Sequence, residues 1–407
     1  MTKDNNNKAR RVAALLLAVA MVAVAAVAQP ADSIAAAPAD SAAIAPADTV
    51  AIAKKRPGLF KRIMDYFTET EEEELAARNK RVRFSVLGGP SYSGDSKLGI
   101  GLAGVINFRT KGSEYPMQPS TAMVFASIST EKFWTAGVRS ISFFKGEKIR
   151  LNCDIDFSYS PRRYWGVGYE KGNVNDGYIK LKEYDIFVVA EWLWRVRNNL
   201  YLGPAVRWDY VNGGSNDHPE YFNGQDVVTR NYGVGLVAVY DSRDVIQNAY
   251  SGWYVYLGQM FRPKWLGNDY AFSTTELRLS HYRKAWTGAV IAAEVRSKFN
   301  FGNPSWAMMS LFGDNYTMRG YYKGRYRDKH IVTAQLEVRQ HIWKSIGMVA
   351  WGGAGSVFHD TESFKHWLPN FGVGARWEFR NRINVRLDYG FGKRGQSTFI
   401  FSINEAF

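Results

Sequence analysis

From Lys80 to Phe407, apolar and polar residues alternate with a period of two in one segment after another. The clearest segment is RINVRLDYGF, where apolar and polar positions alternate; the apolar set is Ile383, Val385, Leu387, Tyr389 and Phe391, and the other set is Arg382, Asn384, Arg386, Asp388 and Gly390. Successive side chains of a strand point to opposite faces, so the pattern predicts strands with one apolar and one polar face. These segments run to about ten residues or more, longer than the strands usual in soluble sandwiches.

The character of the two faces narrows the fold class. Charges of both signs share one face, while the other face is aliphatic, with Trp and Tyr toward the strand ends. A transmembrane β-barrel has this pattern, with lipid outside, a polar lumen inside and aromatic girdles at both interfaces. Only closed barrels let strands cross a bilayer without unpaired backbone groups. The sequence therefore predicts an all-β protein, a transmembrane antiparallel β-barrel.

Length sets the strand number. Residues 80–407 comprise the barrel segment, and at about 20 residues per strand with its share of connections they give about sixteen strands. Eleven strand candidates precede residue 302 and five follow Asp328, with a long strand-poor segment from Gly302 to Asp328 between them. Fourteen strands is the alternative, because the stretch from Arg162 to Tyr178 fits either a strand or a loop.

The N-terminus has the features of a signal peptide, residues 1–28. Arg10 and Arg11 precede an apolar run that closes on Ala26-Val27-Ala28, the small-x-small pattern of a cleavage site, so Ala26 and Ala28 are the expected recognition residues and Gln29 the mature start. An uncleaved signal anchor is the alternative. No cysteine lies near this site, which argues against a lipoprotein anchor.

Two further segments precede the barrel. Residues 29–53 are a low-complexity Ala/Pro linker. Residues 54–79 begin with KKRPGLFKRIMDYF, whose apolar residues have helical spacing, and are predicted to form a short amphipathic helix. Such a helix could lie on the membrane surface, plug the barrel or pack on the periplasmic rim, and the sequence does not distinguish these positions.

Charge and motif content argue against several other functions. The net charge is +14, but the basic residues are scattered singly rather than in the blocks typical of nucleic-acid binding. Gly99, Gly101 and Gly104 fit a dinucleotide motif but sit inside a predicted strand, and Cys153 is the single cysteine. The histidines are dispersed, and His359 beside Asp360 is the best catalytic candidate among them. We therefore expect no enzyme activity, no cofactor and no metal.

A family resemblance appears around the long strand-poor segment. FGDNYTMRGYYKGRYRD, together with the upstream YDSRDVIQNAYSGWYVYL, resembles the bacterial surface antigen barrels, the BamA/TamA-like outer-membrane assembly superfamily. The resemblance covers about residues 85–407 and implies a loop that folds back into the lumen with an R-G-F/Y tip. The corresponding residues here are Arg319, Gly320 and Tyr321, followed by Arg325 and Asp328. The resemblance also implies a C-terminal assembly signal made of Phe399, Phe401, Ile403 and Phe407.

The chain departs from that family in three places. Where the family often has an acid in the phrase V-D-A-G, this chain has Gly353, which leaves Glu337 as the candidate inner-wall partner of Arg319. Ala249 stands where proline is frequent. Residues 29–79 are too short and too low in complexity for a periplasmic POTRA module, so the resemblance is to a member without one.

The resemblance implies assembly, insertion or translocation of outer-membrane proteins in a Gram-negative outer membrane. Its mechanism would use a weak seam between the first and last strands, near Arg81–Val86 and Phe399–Phe407. The alternative is a channel or structural barrel without insertase activity. The expected partners are outer-membrane lipid, client outer-membrane proteins and the cell's barrel assembly machinery, with no nucleic acid, and the protein is expected to be a monomer.

Overall fold

The structure is a computed structural model that describes residues 81–111, 117–144, 146–214, 218–246, 248–378, 384–403 and 405–407. The predicted signal peptide, linker and amphipathic helix all lie outside these residues. No helix of the described part is long and apolar enough to cross a membrane.

Sixteen antiparallel strands close into one barrel. In chain order they are β1 Val82–Ser93, β2 Lys97–Phe108, β3 Ser120–Ser129, β4 Trp134–Phe144, β5 Ile149–Tyr164, β6 Ile179–Arg197, β7 Leu200–Asn212, β8 Val228–Asp241, β9 Gly252–Arg262, β10 Phe272–Lys284, β11 Ala289–Gly302, β14 His330–Trp343, β15 Ile346–Phe358, β16 Leu368–Glu378, β17 Asn384–Phe391 and β18 Ser397–Ile403. The strands β12 Ser310–Leu311 and β13 Arg327–Asp328 form a separate two-stranded ribbon.

The structure confirms the predicted fold class and strand number. Eleven barrel strands precede the long connection and five follow it, as the alternation indicates. The stretch from Arg162 to Tyr178, which fitted either a strand or a loop, contains both. The strand β5 continues to Tyr164, and a one-turn helix, α1 Tyr169–Gly172, lies in the connection to β6. Short 3-10 turns occupy other connections, namely Pro219–Phe222, Lys264–Leu266, Trp306–Met308, Ser363–Lys365 and Lys393–Gly395.

Along the strands, large apolar side chains are exposed on the outside of the barrel and charged side chains are concentrated inside it. On β2, Leu98, Ile100 and Leu102 are each more than half exposed on the outside. On β17, the side chains of Arg386 and Asp388 are fully buried inside the barrel. In a soluble protein the apolar side chains would be buried and the charged ones exposed. The reverse distribution seen here fits a barrel wall that is surrounded by lipid.

The two ends of the barrel differ. At one end, two-residue turns join β6 to β7 and β14 to β15. At the other end lie α1, the 3-10 turns at Pro219–Phe222 and Ser363–Lys365, and the long connection from β11 to β14. We call these the turn end and the loop end; β1 begins and β18 finishes at the turn end.

The junction between β1 and β18, which we call the seam, is short. Among the described residues, the ladder joins Tyr92 to Phe401, whereas β1 pairs with β2 along its whole length. The Tyr92 ring also contacts Phe399, with 5.7 Å between ring centroids. The pairing therefore lies toward the loop end of β1 rather than at Arg81–Val86, as the resemblance implied, whereas Phe401 lies within the expected range Phe399–Phe407.

Candidate functional site

The long connection between β11 and β14, residues 303–329, folds back from the loop end into the lumen. Asp314 reverses the chain: its carboxylate accepts hydrogen bonds from the backbone N–H groups of Tyr316 at 2.6 Å and Thr317 at 2.5 Å. Asp favours such turns because its short side chain can bond the backbone that follows. This reversal delivers Arg319 to the inner wall.

Gly320 lets the loop lie against β17. Its φ of 116° is disfavoured for other residues, and a Cβ at this position would lie 2.7 Å from the carbonyl carbon of Gly390. A side chain at this position would push the loop away from β17. Steric contact therefore explains why the residue next to Arg319 is a glycine.

Arg319 is fully buried and is bound by two carboxylates. Its Nη2 lies 2.5 Å from Glu337 Oε2 on β14, and its Nη1 lies 2.6 Å from Asp388 Oδ2 on β17. The guanidinium carbon also lies 3.6 Å from the centroid of the Trp351 ring. A planar guanidinium suits this arrangement, because it can donate in two directions while stacking on an aromatic face.

Asn370 fixes the backbone at the same point. Its amide nitrogen donates to the carbonyl of Arg319, and its amide oxygen accepts from the indole N–H of Trp351 at 2.9 Å. The ring beneath Arg319 and the backbone above it are thus held by one side chain. Neither Trp351 nor Asn370 is distinguished by a sequence motif.

Three more arginines surround these acids. Arg376 binds Asp388 at 2.6 Å and Glu405 at 2.9 Å, and Arg339 binds Glu337 at 2.7 Å. Arg386 binds Asp388 at 3.2 Å and donates to the loop carbonyl of Asn315 at 2.7 Å. We call the set the luminal arginine cluster: Arg319, Arg339, Arg376, Arg386, Glu337, Asp388 and Glu405.

The luminal arginine cluster holds the long loop against the inner wall. Four guanidinium groups share three side-chain carboxylates, and Arg339 also donates to a backbone oxygen of Phe407. A buried ion pair contributes little net stability against an apolar replacement, but removing one partner strands a buried charge and costs about 3–5 kcal/mol. The loop, β14, β16, β17 and Glu405 are therefore held as one unit.

The other motif residues hold the loop near the loop end. The Tyr321 hydroxyl donates to the Pro369 carbonyl at 2.5 Å and accepts from the backbone N–H of Lys393 at 2.8 Å. Arg325 is buried and donates to the carbonyl of Gly172 in α1 at 2.8 Å. These contacts join the loop to its neighbouring connections.

Asp328 and His359 form a pair at the loop end. Asp328 Oδ2 lies 2.9 Å from His359 Nδ1, and this hydrogen bond raises the pKa of the histidine. Asp360 lies 3.3 Å from the other ring nitrogen. Both nitrogens thus face carboxylates. Among the described residues there is no group of three or more His, Cys, Asp and Glu side chains that could hold a metal ion.

Residues of the expected C-terminal signal are divided between two places. Phe399, Phe401 and Ile403 lie on the outward face of β18, whereas Phe407 is buried in the lumen. There Phe407 packs with Ala249, Tyr282 and Ala292. The chain leaves the wall after Ile403, so strand alternation does not extend to Phe407. Ala26 and Ala28 lie outside the described residues.

Connections on both sides of the seam contact the loop. Asp95, in the turn between β1 and β2, accepts from the backbone N–H of Lys323 at 2.9 Å, and burial raises the pKa of Asp95 to about 6. Gln396, between β17 and β18, accepts from the backbone N–H of Tyr322 at 3.5 Å. Two adjacent loop residues thus bridge the seam at the loop end.

Comparison with known proteins gives similarity of fold. No protein-family model matches the sequence, and no curated protein matches it. Among solved structures, BamA from Haemophilus ducreyi lacking POTRA domains 1-3 superposes with a TM-score of 0.54 at 12% identity, covering 80% of this chain and 70% of that one. CdiB from Acinetobacter baumannii superposes with a TM-score of 0.52 at 12% identity, covering 80% of this chain and 60% of that one, less than two thirds of its length. The chain thus has the fold of bacterial outer-membrane barrels.

Proposed function

We propose that this protein lies in the outer membrane of a Gram-negative bacterium and acts in the assembly, insertion or translocation of outer-membrane proteins at its β1–β18 seam. The observation that carries the proposal is the shortness of that seam, where Tyr92 and Phe401 form the ladder between the described residues. The similarity of fold to BamA and CdiB supports the general kind of protein.

Unpaired backbone groups at the short seam are the physical basis for client binding. In lipid, each unsatisfied backbone group costs several kcal/mol, so strand edges at a weak seam have a strong tendency to find partners. A client strand could pair with such an edge through its main chain, as exposed edges do with other chains. The seam would then bind client strands through their backbone groups, independently of the client's side-chain sequence.

The loop contributes control of the seam in this proposal. Asp95 and Gln396 belong to the hairpins on either side of the seam, and both contact the loop segment Tyr322–Lys323. Opening the seam at the loop end would break these contacts. The luminal arginine cluster holds the loop in place and thereby sets how easily they break.

A disulfide across the seam tests the proposal. A Cβ at Gly94 would lie 3.3 Å from Thr398 Cβ, close to the separation of about 3.8 Å usual in disulfides. The variant carries Gly94→Cys and Thr398→Cys in a Cys153→Ala background, and each single-cysteine variant is a matched control. The outer-membrane proteome of a deletion strain is quantified after complementation at equal barrel abundance.

We expect wild type, both single-cysteine controls and the reduced double variant to restore particular barrel proteins, and the oxidised double variant to fail. Arg319→Ala is measured alongside and is expected to restore them only in part. Full restoration by the oxidised form would refute a role for the seam. A proteome that does not change on deletion would refute the assembly role itself.

The second candidate is a channel or a structural barrel without insertase activity. It is favoured by the ion pair of Arg139 and Asp154 on the inner wall, whose side chains are 51% and 29% exposed. That part of the lumen is open to solvent, unlike the part filled by the loop. A channel predicts conductance in planar bilayers whose ion selectivity shifts toward cations with Arg139→Glu.

The proposal also covers the oligomeric state and the partners of the protein. The protein works as a monomer, reaches the membrane through the cell's barrel assembly machinery and needs no cofactor or catalytic residue. In this proposal a separate partner delivers clients from the periplasm, because residues 29–79 are a short segment that starts with low-complexity sequence. Size-exclusion chromatography with light scattering tests the monomer, and crosslinking from residues 29–79 tests the partner.

A further inference from the structure

Four basic side chains lie on the outward face of β5, β6 and β8 near the loop end of the barrel. Arg163 is near the end of β5, Lys180 and Lys182 are near the start of β6, and Arg230 is near the start of β8, and all four are exposed. All four positions are at the loop end. Among the described residues, none of them forms an ion pair with a carboxylate.

Their outward direction follows from their neighbours. Tyr164 and Leu181 belong to a buried cluster inside the barrel, and Thr229 and Asn231 are buried inside as well. Alternation then places the adjacent residues Arg163, Lys180, Lys182 and Arg230 on the outer wall. Arg163 and Lys180 lie opposite each other across β5 and β6.

Aromatic rings and then aliphatic side chains lie below these cations on the same face. The Arg230 guanidinium carbon lies 5.6 Å from the centroid of the Tyr210 ring, and the Tyr184 and Tyr159 ring centroids lie 4.6 Å apart with the rings tilted. Farther from the loop end, Val234 and Leu236 of β8 are exposed. A ligand that fits this surface has an anionic head at the loop end and long apolar chains toward the turn end.

The cations fall into two groups. Lys182 lies two residues beyond Tyr184, which is opposite Asn212, and Arg230 is opposite Tyr210 on the next pair of strands. Two strands and four residues separate the Lys182 and Arg230 Cα atoms by roughly 16 Å. Each side chain can bend toward the other, so the surface suits two anionic groups on one head better than a single phosphate.

We propose that the outer wall of β5 to β8 binds a diphosphorylated glycolipid of the lipid A type, with one phosphate on Lys180 and Lys182 and the other on Arg230. In transmembrane barrels the short turns face the periplasm and the longer loops face outward, which places these cations at the outer leaflet. The inference rests on the proposed outer-membrane location, and it does not depend on client handling at the seam.

The test measures lipid binding to the full chain in detergent by native mass spectrometry. The probes are diphosphoryl lipid A, monophosphoryl lipid A and phosphatidylglycerol. The variant carries Lys180→Gln, Lys182→Gln and Arg230→Gln. The matched control carries Lys132→Gln, Lys344→Gln and Lys365→Gln, three exposed cations outside the outward strand faces with the same change of net charge.

We expect wild type to bind diphosphoryl lipid A more tightly than either other probe. At about fivefold per basic side chain near an anionic lipid head, the variant should weaken this binding roughly 100-fold, and the control should leave it within about threefold. Equal weakening in the control would overturn the site. Equal or tighter binding of phosphatidylglycerol to wild type would overturn the choice of ligand, and that comparison needs no variant to fold. Loss of the seam function would leave these results unchanged.

Discussion

Arg339 donates a hydrogen bond of 2.8 Å to a backbone oxygen of Phe407, which lies buried in the lumen. The same guanidinium binds Glu337, a partner of Arg319 in the long loop. The segment that follows β18 and the loop that follows β11 are therefore connected through one inner-wall carboxylate.

This connection predicts that the two segments are energetically coupled. Arg319→Ala and Glu405→Gln each leave buried charges and should each lower the free energy of unfolding by about 3–5 kcal/mol. Because Arg339 and Arg376 link both sites, the double variant should depart from additivity by about 0.5–3 kcal/mol. Urea unfolding in detergent of wild type, both single variants and the double variant measures this. Strict additivity would show that the loop and Glu405 are independent.

The close approach of the loop to β17 predicts a large effect of Gly320→Ala. The substitution adds both strain at a φ of 116° and a clash with the Gly390 backbone. Gly168 is the matched control, since its φ is 107° and a Cβ there meets nothing within 4 Å. We expect a loss of stability of about 1 kcal/mol for Gly168→Ala and about 3 kcal/mol or more for Gly320→Ala. Similar losses in urea unfolding would mean that only the backbone angle matters.

The position of Gly353 predicts that an acid there cannot replace Asp388. A Cβ at Gly353 would lie 3.0 Å from Gln335 Cβ and closer still to the Ala334 carbonyl oxygen, so β14 blocks a side chain. Asp388→Asn should lower the free energy of unfolding by about 3–5 kcal/mol. Adding Gly353→Asp should lower it further. Recovery of the urea midpoint in the double variant would contradict this account.

The Asp95 carboxyl predicts a pH dependence at the seam. Burial raises its pKa from 3.8 to about 6, so the folded state favours the protonated form. The stability from this preference is fully present below pH 3.8 and is lost as the pH rises through about 6. Wild type should therefore lose up to about 3 kcal/mol relative to Asp95→Asn between pH 3.8 and pH 7. Urea unfolding across this range tests it, with exposed Asp360→Asn as control; parallel curves for wild type and Asp95→Asn would disprove it.

The sequence predicted the barrel well because strand alternation is a local property. Each outward apolar residue, such as Leu98 or Ile100, is read from its nearest neighbours, and the strand number follows from segment length. The expected contact of Arg319 with Glu337 needed the family resemblance in addition, and the structure places the two side chains 2.5 Å apart.

The rest of the site depends on barrel closure, which alternation does not encode. Asp388 lies on β17, three strands from Glu337 on β14, and only the curvature of the wall brings both carboxylates to Arg319. The family resemblance grouped Phe407 with Phe399, but Phe407 is buried in the lumen whereas Phe399 lies on the outward face of β18. A local pattern cannot signal where a strand leaves the wall.

The cations of β5 to β8 lie on the side of the barrel away from the seam. β8 and β9 stand halfway around the ring of strands from the junction of β1 with β18. A lipid held at Lys182 and Arg230 would therefore anchor one wall while the opposite wall stays free to deform. Thinning or loosening of the surrounding bilayer would then deform mainly the unanchored side, which contains the seam. The lipid composition of the outer leaflet would in this way affect how easily the seam opens.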